Sequence, residues 1–236
     1  MEICFFLIGE SGHAHDEVDA SDVSLMQRTA REVTGLRRFV LHLRCRHDGA
    51  GSNAHASQTP FCITQWYFDD LELLEAALLP GGPIHAVAER VASRLNRCTL
   101  FQQAMAVRAF ATPHGLRADA PDERCTYLVS YEGEAVDFNA WLTHYMTHHP
   151  PLMTQLPGLR ELEIYTRIDY RSGLDIPRAT AMQRNKVVFD DVASLDAALA
   201  SPVRARMKQD FDSFPPYGGA APHYPMRSIY GNLTPE

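Results

Sequence analysis

The chain has 236 residues, 45% of them hydrophobic and 22% charged, the balance of an ordinary globular protein. Its formal net charge of −7, without any run of Lys or Arg, argues against nucleic acid or an anionic membrane surface as partner, because both need a basic patch. No apolar stretch approaches the roughly 20 residues of a membrane span, and Met1–Ile8 lacks the basic flank of a signal peptide, so a soluble cytoplasmic protein is expected. Cys4, Cys45, Cys62, Cys98 and Cys125 are scattered, form no C-x-x-C pair, and read as reduced, small hydrophobes.

The predicted elements fall into two series with the same order. Ile3–Ile8 is a short apolar run, read as a buried strand. A helix over Ser21–Val33 stops at Gly35, and Leu36–Arg46 then alternates apolar and polar residues as a two-faced strand does. Phe61–Phe68 is a third strand, a second helix starts at the Asp69-Asp70 cap, and a last strand lies near Leu100–Arg108. The second series is Cys125–Tyr131, a helix over Asp137–Leu156, Gly158, Leu159–Asp169, Lys186–Phe189, a helix from Asp190-Asp191, and Arg227–Tyr230. Residues repeat as well as patterns. Phe68-Asp69-Asp70 with Leu74–Leu78 returns 121 residues later as Phe189-Asp190-Asp191 with Leu195–Leu199, and Gly35-Leu36-Arg37 returns 123 later as Gly158-Leu159-Arg160.

The order β-α-β-β-α-β is that of a ferredoxin-like unit, whose four-stranded sheet carries helices on one face and leaves the other bare. Two copies in one chain can cover each other. The expected fold is therefore α+β: two tandem ferredoxin-like (βαββαβ) units, residues 1–110 and 125–236 joined by a linker at 111–124, forming a fused dimeric α+β barrel. Such a chain contains its own partner, so a monomer built as an internal pseudo-dimer is expected, with further homo-oligomers left open.

The second strand of each unit says most about the interior. Phe39, Leu41, Leu43 and Cys45 share one face and Arg38, Val40, His42, Arg44 and Arg46 the other; in the second unit Leu162, Ile164 and Ile168 oppose Glu161, Glu163, Tyr165, Arg167 and Asp169. The polar faces point between the sheets, where unpaired charge is costly. Two readings stay open. One is an ionic network across the pseudo-twofold axis. The other is a polar cavity, lined also by Glu163, in which Arg44 or Arg167 holds a carboxylate or oxyanion while His42, Tyr165 or Glu163 moves protons.

The segment Trp141–Leu152, ending His149-Pro150-Pro151-Leu152 and followed by Pro157-Gly158-Leu159-Arg160, resembles the EthD family of dimeric α+β barrel proteins. The resemblance covers most of 125–230 and implies small-molecule catabolic or biosynthetic chemistry with His149 as general acid or base. In the first unit Met26 stands where the family has its histidine and no proline follows, so one working site is expected. Haem is the one cofactor the resemblance leaves open; none is expected.

His144 and His148 share a helix face, but a metal needs a third ligand and an organised surrounding, and no metal is expected. His13, His15, His47 and His55 sit in polar, small-residue stretches and read as loop residues. His223 lies in the Pro/Gly/aromatic stretch Phe214–Pro225, read as a loop that closes a barrel mouth. The absence of G-x-G-x-x-G, Walker and G-x-S-x-G motifs leaves nucleotide and α/β-hydrolase chemistry without support. The expected function is a cofactor-independent lyase or isomerase acting on a small aromatic, lactone or polyketide-like compound. Its expected pocket, at the barrel mouth, is lined by His149, Tyr165 and Arg167, with His42 and Arg44 from the first unit and His223 from the loop. An oxidoreductase of the EthD or haem-using kind and a non-catalytic binding protein are the alternatives.

Overall fold

The computed structural model describes residues 1–11, 18–45, 59–94, 98–113, 115 and 123–231. His13, His15, Arg46, His47 and His55 lie outside them. Each run of alternating residues becomes a strand: β1 (Ile3–Ser11), β2 (Leu36–Arg44), β3 (Cys62–Phe68) and β4 (Cys98–Phe110) in the first half; β5 (Glu123–Tyr131), β6 (Glu161–Arg167), β7 (Gln183–Phe189) and β8 (His223–Gly231) in the second. The helices α1 (Ala20–Glu32) and α4 (Phe138–Met153) follow the first strand of each half. Gly35 and Gly158 then turn the chain into β2 and β6 with φ of +76° and +72°, and a Cβ at Gly35 would lie 2.5 Å from Leu73 Cδ1.

The single second helix expected in each half is two. Asp70 and Asp191 cap α2 (Leu71–Ala77) and α5 (Val192–Leu199) by accepting from the backbone of Glu72 and Ser194. Pro83 and Pro202, which have no N–H to give to the preceding turn, start α3 (Pro83–Arg94) and α6 (Pro202–Phe211) afresh.

The strands of the first half pair in the order β4-β1-β3-β2 and those of the second in the order β6-β7-β5-β8, all antiparallel. The two sheets do not merely face each other. β2 pairs with β8 (Phe39–Arg44 against Met226–Gly231) and β4 with β6 (Met105–Phe110 against Leu162–Arg167), which closes an eight-stranded barrel with no free edge. No helix among the described residues is long and apolar enough to cross a membrane.

Alternation sorts the side chains into three cores. One packs the outer face of the first sheet against its helices (Phe5, Met26, Phe39, Trp66, Leu74), one does the same for the second (Tyr127, Trp141, Tyr145, Leu162, Val187), and one fills the barrel (Cys4, Phe6, Val40, Ile63, Met105, Met226). Equivalent register positions differ in volume. Phe5 faces Trp66 across β1 and β3, whereas Tyr127 faces Val187 across β5 and β7. Trp66 is fully buried and donates through Nε1 to Thr64 Oγ1 at 2.8 Å. The space beneath the helices is thus filled by an indole in the first half and left open in the second.

The barrel interior also holds a cluster of charges. Lys186 Nζ, on β7 and fully buried, donates to Glu161 Oε1 at 2.5 Å and Glu163 Oε2 at 3.2 Å. Arg38 reaches across from β2 to the same two carboxylates, and Tyr67 OH donates to Glu163 Oε2 at 2.8 Å. Burial alone would raise the Glu163 pKa; Lys186 and Arg38 outweigh it and hold the carboxyl well below its ordinary range. Lys186→Met leaves two buried carboxylates short of their cation, and such breakage costs about 3–5 kcal/mol. Urea unfolding should show a loss of that order; a loss under about 1 kcal/mol would mean that the cluster contributes little.

Candidate functional site

A site forms on the outer face of the second sheet. Asp137 caps α4 by accepting from the Ala140 N–H, and the i, i+4 series Trp141, Tyr145, His149 and Met153 then faces the sheet, all buried. On α6, Val203, Met207 and Asp210 share the face turned to α4. His149 Nδ1 donates to Asp210 Oδ2 at 2.7 Å, with the two side chains 7% and 11% exposed. The other Asp210 oxygen lies 3.6 Å from His144 Nε2. Burial pushes the His149 pKa down, the Asp210 hydrogen bond and charge pull it partly back, and the net shift is downward. At neutral pH the ring is uncharged, its proton is on Nδ1, and Nε2 is the basic atom.

His149 lines a partly open cavity of about 180 Å³ between α4, α5, α6 and the outer face of β5 and β7. Val129, Met153, Leu156, Val187, Leu195 and Met207 make most of its wall apolar. The polar lining is Tyr127, Tyr131, Asn185, His223 and Arg204. Asn185 Nδ2 donates to Tyr145 OH at 2.8 Å, which fixes both. His223 is the first residue of β8, with its ring centroid 5.3 Å from that of Tyr127. Burial, with the charge of Arg204, lowers its pKa to about 4, so it is also neutral. Arg204 is half-buried, and its guanidinium makes no hydrogen bond or ion pair to a described residue. Lys208, the other cation on the wall, is paired with Asp212 at 2.7 Å.

Aromatic rings cover one end. Phe214 stands edge-on to His149 with centroids 5.3 Å apart, and Tyr131, Trp141, Phe211 and Tyr217 pack around it. The segment from 214 to 222 is laced to the β5–α4 connection by backbone bonds: Gly218 N–H to Glu134 O at 2.8 Å, Glu132 N–H to Ala220 O at 2.9 Å, and Val136 N–H to Pro216 O at 3.1 Å. The segment expected over the barrel mouth is instead fixed over this helix-side cavity.

The pocket expected from the sequence does not assemble at the barrel mouth. The sheet itself stands between its members: α4 covers the outer face, so His149 lies there, while Glu163, Tyr165 and His42 project from the inner face. Those three are consumed inside the barrel. Gln65 Nε2 donates to Tyr165 OH at 2.9 Å, Tyr165 OH donates to Glu163 Oε2, and Gln65 Oε1 accepts from His42 Nε2 at 2.6 Å. His42 Nδ1 is then left to accept from Ser228 Oγ at 2.6 Å. Arg167 is exposed at the end of β6 and forks onto Glu134 at 2.7 and 3.1 Å, and Arg44 donates to Thr59 O at 2.5 Å. Of the expected residues only His149 and His223 share the cavity. His144 and His148 stack at 4.6 Å, and among the described residues no three metal-ligating side chains gather.

Asp210, Arg204, Asn185 and Tyr145 were not singled out in the sequence. The signal for the first two is Pro202 followed by Val203, Met207 and Phe211, a helix start and its buried stripe.

No family model matches this chain, and no curated protein does. Among solved structures, an anthrone oxidase-like protein superposes with a TM-score of 0.61 at 10% identity, over 98% of this chain and 93% of its own. Monooxygenase-like proteins from Fusobacterium nucleatum (TM-score 0.58, 8% identity, 98% and 94% covered) and Lactobacillus acidophilus (0.53, 12%, 97% and 94%) superpose similarly. The fold is the dimeric α+β barrel. In this dimeric α+β barrel one chain supplies both sheets, and at these identities the likeness concerns architecture rather than reaction.

Two titrations check this electrostatic picture. Asp210→Asn removes the group that pulls the His149 pKa upward, so the imidazole pKa read by NMR should fall further below 6.5; a rise would refute the arrangement. His42 titrates lower still, at about 3, because burial outweighs its bond to Gln65. A depressed histidine contributes stability that is full above its unfolded pKa near 6.5 and is lost as pH falls towards 3. Unfolding free energy should therefore begin to drop below pH 6.5, before carboxylates titrate, and His42→Gln should make that first part of the curve shallower, leaving the share of His149 and His223.

Proposed function

We propose that the chain is a small-molecule enzyme in which the His149–Asp210 pair takes a proton from a compound held in the helix-side cavity, in the manner of a cofactor-independent lyase or isomerase. On this reading it is an EthD-like protein of two tandem ferredoxin-like units, the second carrying the site. The observation that carries the proposal is a buried, neutral histidine, oriented by a buried carboxylate, on the wall of an apolar chamber. Nε2 of His149 accepts the proton, and Asp210 stabilises the imidazolium that results. His223, with a pKa near 4, is too weak a base to compete, which leaves it the role of a polar contact. The proton returns to another atom of the same molecule in an isomerisation, or leaves with the departing group in an elimination.

The size of the chamber limits the substrate. An apolar cavity of about 150 Å³ takes benzene, so about 180 Å³ suits a compound of single-ring size. This volume lies below the roughly 300–1,000 Å³ of larger ligand sites, and no step here runs through a haem. A second reading keeps the same base. The superposing structures carry oxidase and monooxygenase names, and molecular oxygen meeting the deprotonated substrate would make the reaction an oxidation.

Solvent-deuterium incorporation into enolisable single-ring ketones and lactones detects proton abstraction whatever the product. His149→Gln should slow that exchange by about two to four powers of ten, the usual weight of a general base; undiminished exchange would remove His149 from the reaction. Oxygen consumption alongside the exchange would select the oxidative reading, and a chain that binds such compounds without exchanging them is a binding protein. Val187→Trp copies the first half's Trp66 and should abolish exchange by filling the chamber while the thermal transition stays within a few degrees.

A further inference from the structure

The cations around the cavity are not equally partnered. Lys208 is matched by Asp212. Asp210 accepts the hydrogen bond of the neutral His149 and faces His144. His149 and His223 have lowered pKa values and are neutral, as are the phenols of Tyr127 and Tyr131, whose pKa values burial raises to about 12 and further. Of the two cations on the wall, the Arg204 guanidinium alone has no hydrogen bond or ion pair from a described residue. A guanidinium beside an apolar chamber acts through a lower dielectric than bulk water, so its attraction for an anion is stronger there. Its planar fork also matches the two oxygens of a carboxylate better than a point cation does.

Resting on the reading of this cavity as the binding site, we infer that its ligand is a single-ring monoanion whose carboxylate, or ionised enol or phenol oxygen, is held by Arg204 while Val129, Val187, Leu195 and Met207 enclose the ring. One guanidinium without a side-chain partner argues for one negative charge. The arrangement also serves proton abstraction. An anion beside His149 favours the protonated ring, so binding raises the depressed pKa of the base towards the working range.

Benzoate and benzamide have the same ring and nearly the same shape, and differ in charge. Titrated into the intact chain and followed by protein NMR, benzoate should bind roughly tenfold tighter or more, the usual weight of a charge-assisted hydrogen-bond pair. In Arg204→Gln that preference should shrink to under twofold with the thermal transition unmoved, since Arg204 forms no ion pair to lose. His149→Gln should keep the preference, because it leaves the guanidinium in place. Equal binding of the two probes, no binding of either at millimolar concentration, or a preference that survives Arg204→Gln would each overturn the inference. If the preference instead disappears in Lys208→Gln, the anion belongs to that side chain and the assignment to Arg204 is wrong. Deuterium exchange judges the base independently: exchange lost in His149→Gln with no benzoate preference would keep the proposed reaction and discard the anionic substrate.

Discussion

Inside the closed barrel, a lysine and an arginine share two glutamates, and the rest of the architecture is arranged around that fact. Lys186, Glu161 and Glu163 come from the second half and Arg38 from the first, so the cluster is complete only when both sheets stand in one relative register. Charges of this kind in a low-dielectric interior are tolerated only with partners in good geometry. Tyr67, Tyr165, Gln65 and His42 extend the network outward from the two glutamates. An eight-stranded barrel is just wide enough for side chains to fill it. With the inner faces occupied, ligand chemistry has only the outer faces, under the helices, in which to develop.

The two outer faces have taken different courses. In the first half, Phe5, Trp66 and Met26 fill the space between sheet and helices, and the buried carboxylate of α1, Asp22, lies within reach of Arg90 on α3. In the second, the positions of Trp66 and Met26 belong to Val187 and His149, which opens a chamber and puts a base on its wall. A chamber of that kind forfeits packing contacts, and functional sites commonly carry such a cost in stability. The surrounding aromatic shell and the backbone lacing between 132–136 and 216–220 hold its rim in place.

How far the sequence discloses this depends on the range of the interaction. The like order of elements in the two halves was legible from Phe68-Asp69-Asp70 and its later counterpart, and the sidedness of β2 and β6 from alternation of adjacent residues; both are local signals. His149 was legible as a candidate through its Pro-rich helix end, but the side of the sheet on which it lies was not, because alternation orients strand residues and says nothing of what covers the strand. Asp210 and Arg204 escaped because the stretch Ala200-Ser201-Pro202 reads as the end of a helix and not as the junction between α5 and α6. The cavity escaped for a different reason. It is a difference in volume between Val187 and Trp66, residues that each suit a buried strand, and only register across two strands shows that one leaves room where the other does not.

Filling one half also changes how the molecule must respond to its ligand. A barrel assembled from two identical chains carries two identical sites, and occupancy of one can alter the other through the shared sheet. Here Trp66 occupies the place of a second site. On the proposed reading each chain would saturate along a simple hyperbola at a stoichiometry of one, with no homotropic coupling inside the barrel. Any sigmoid response would have to arise between separate chains.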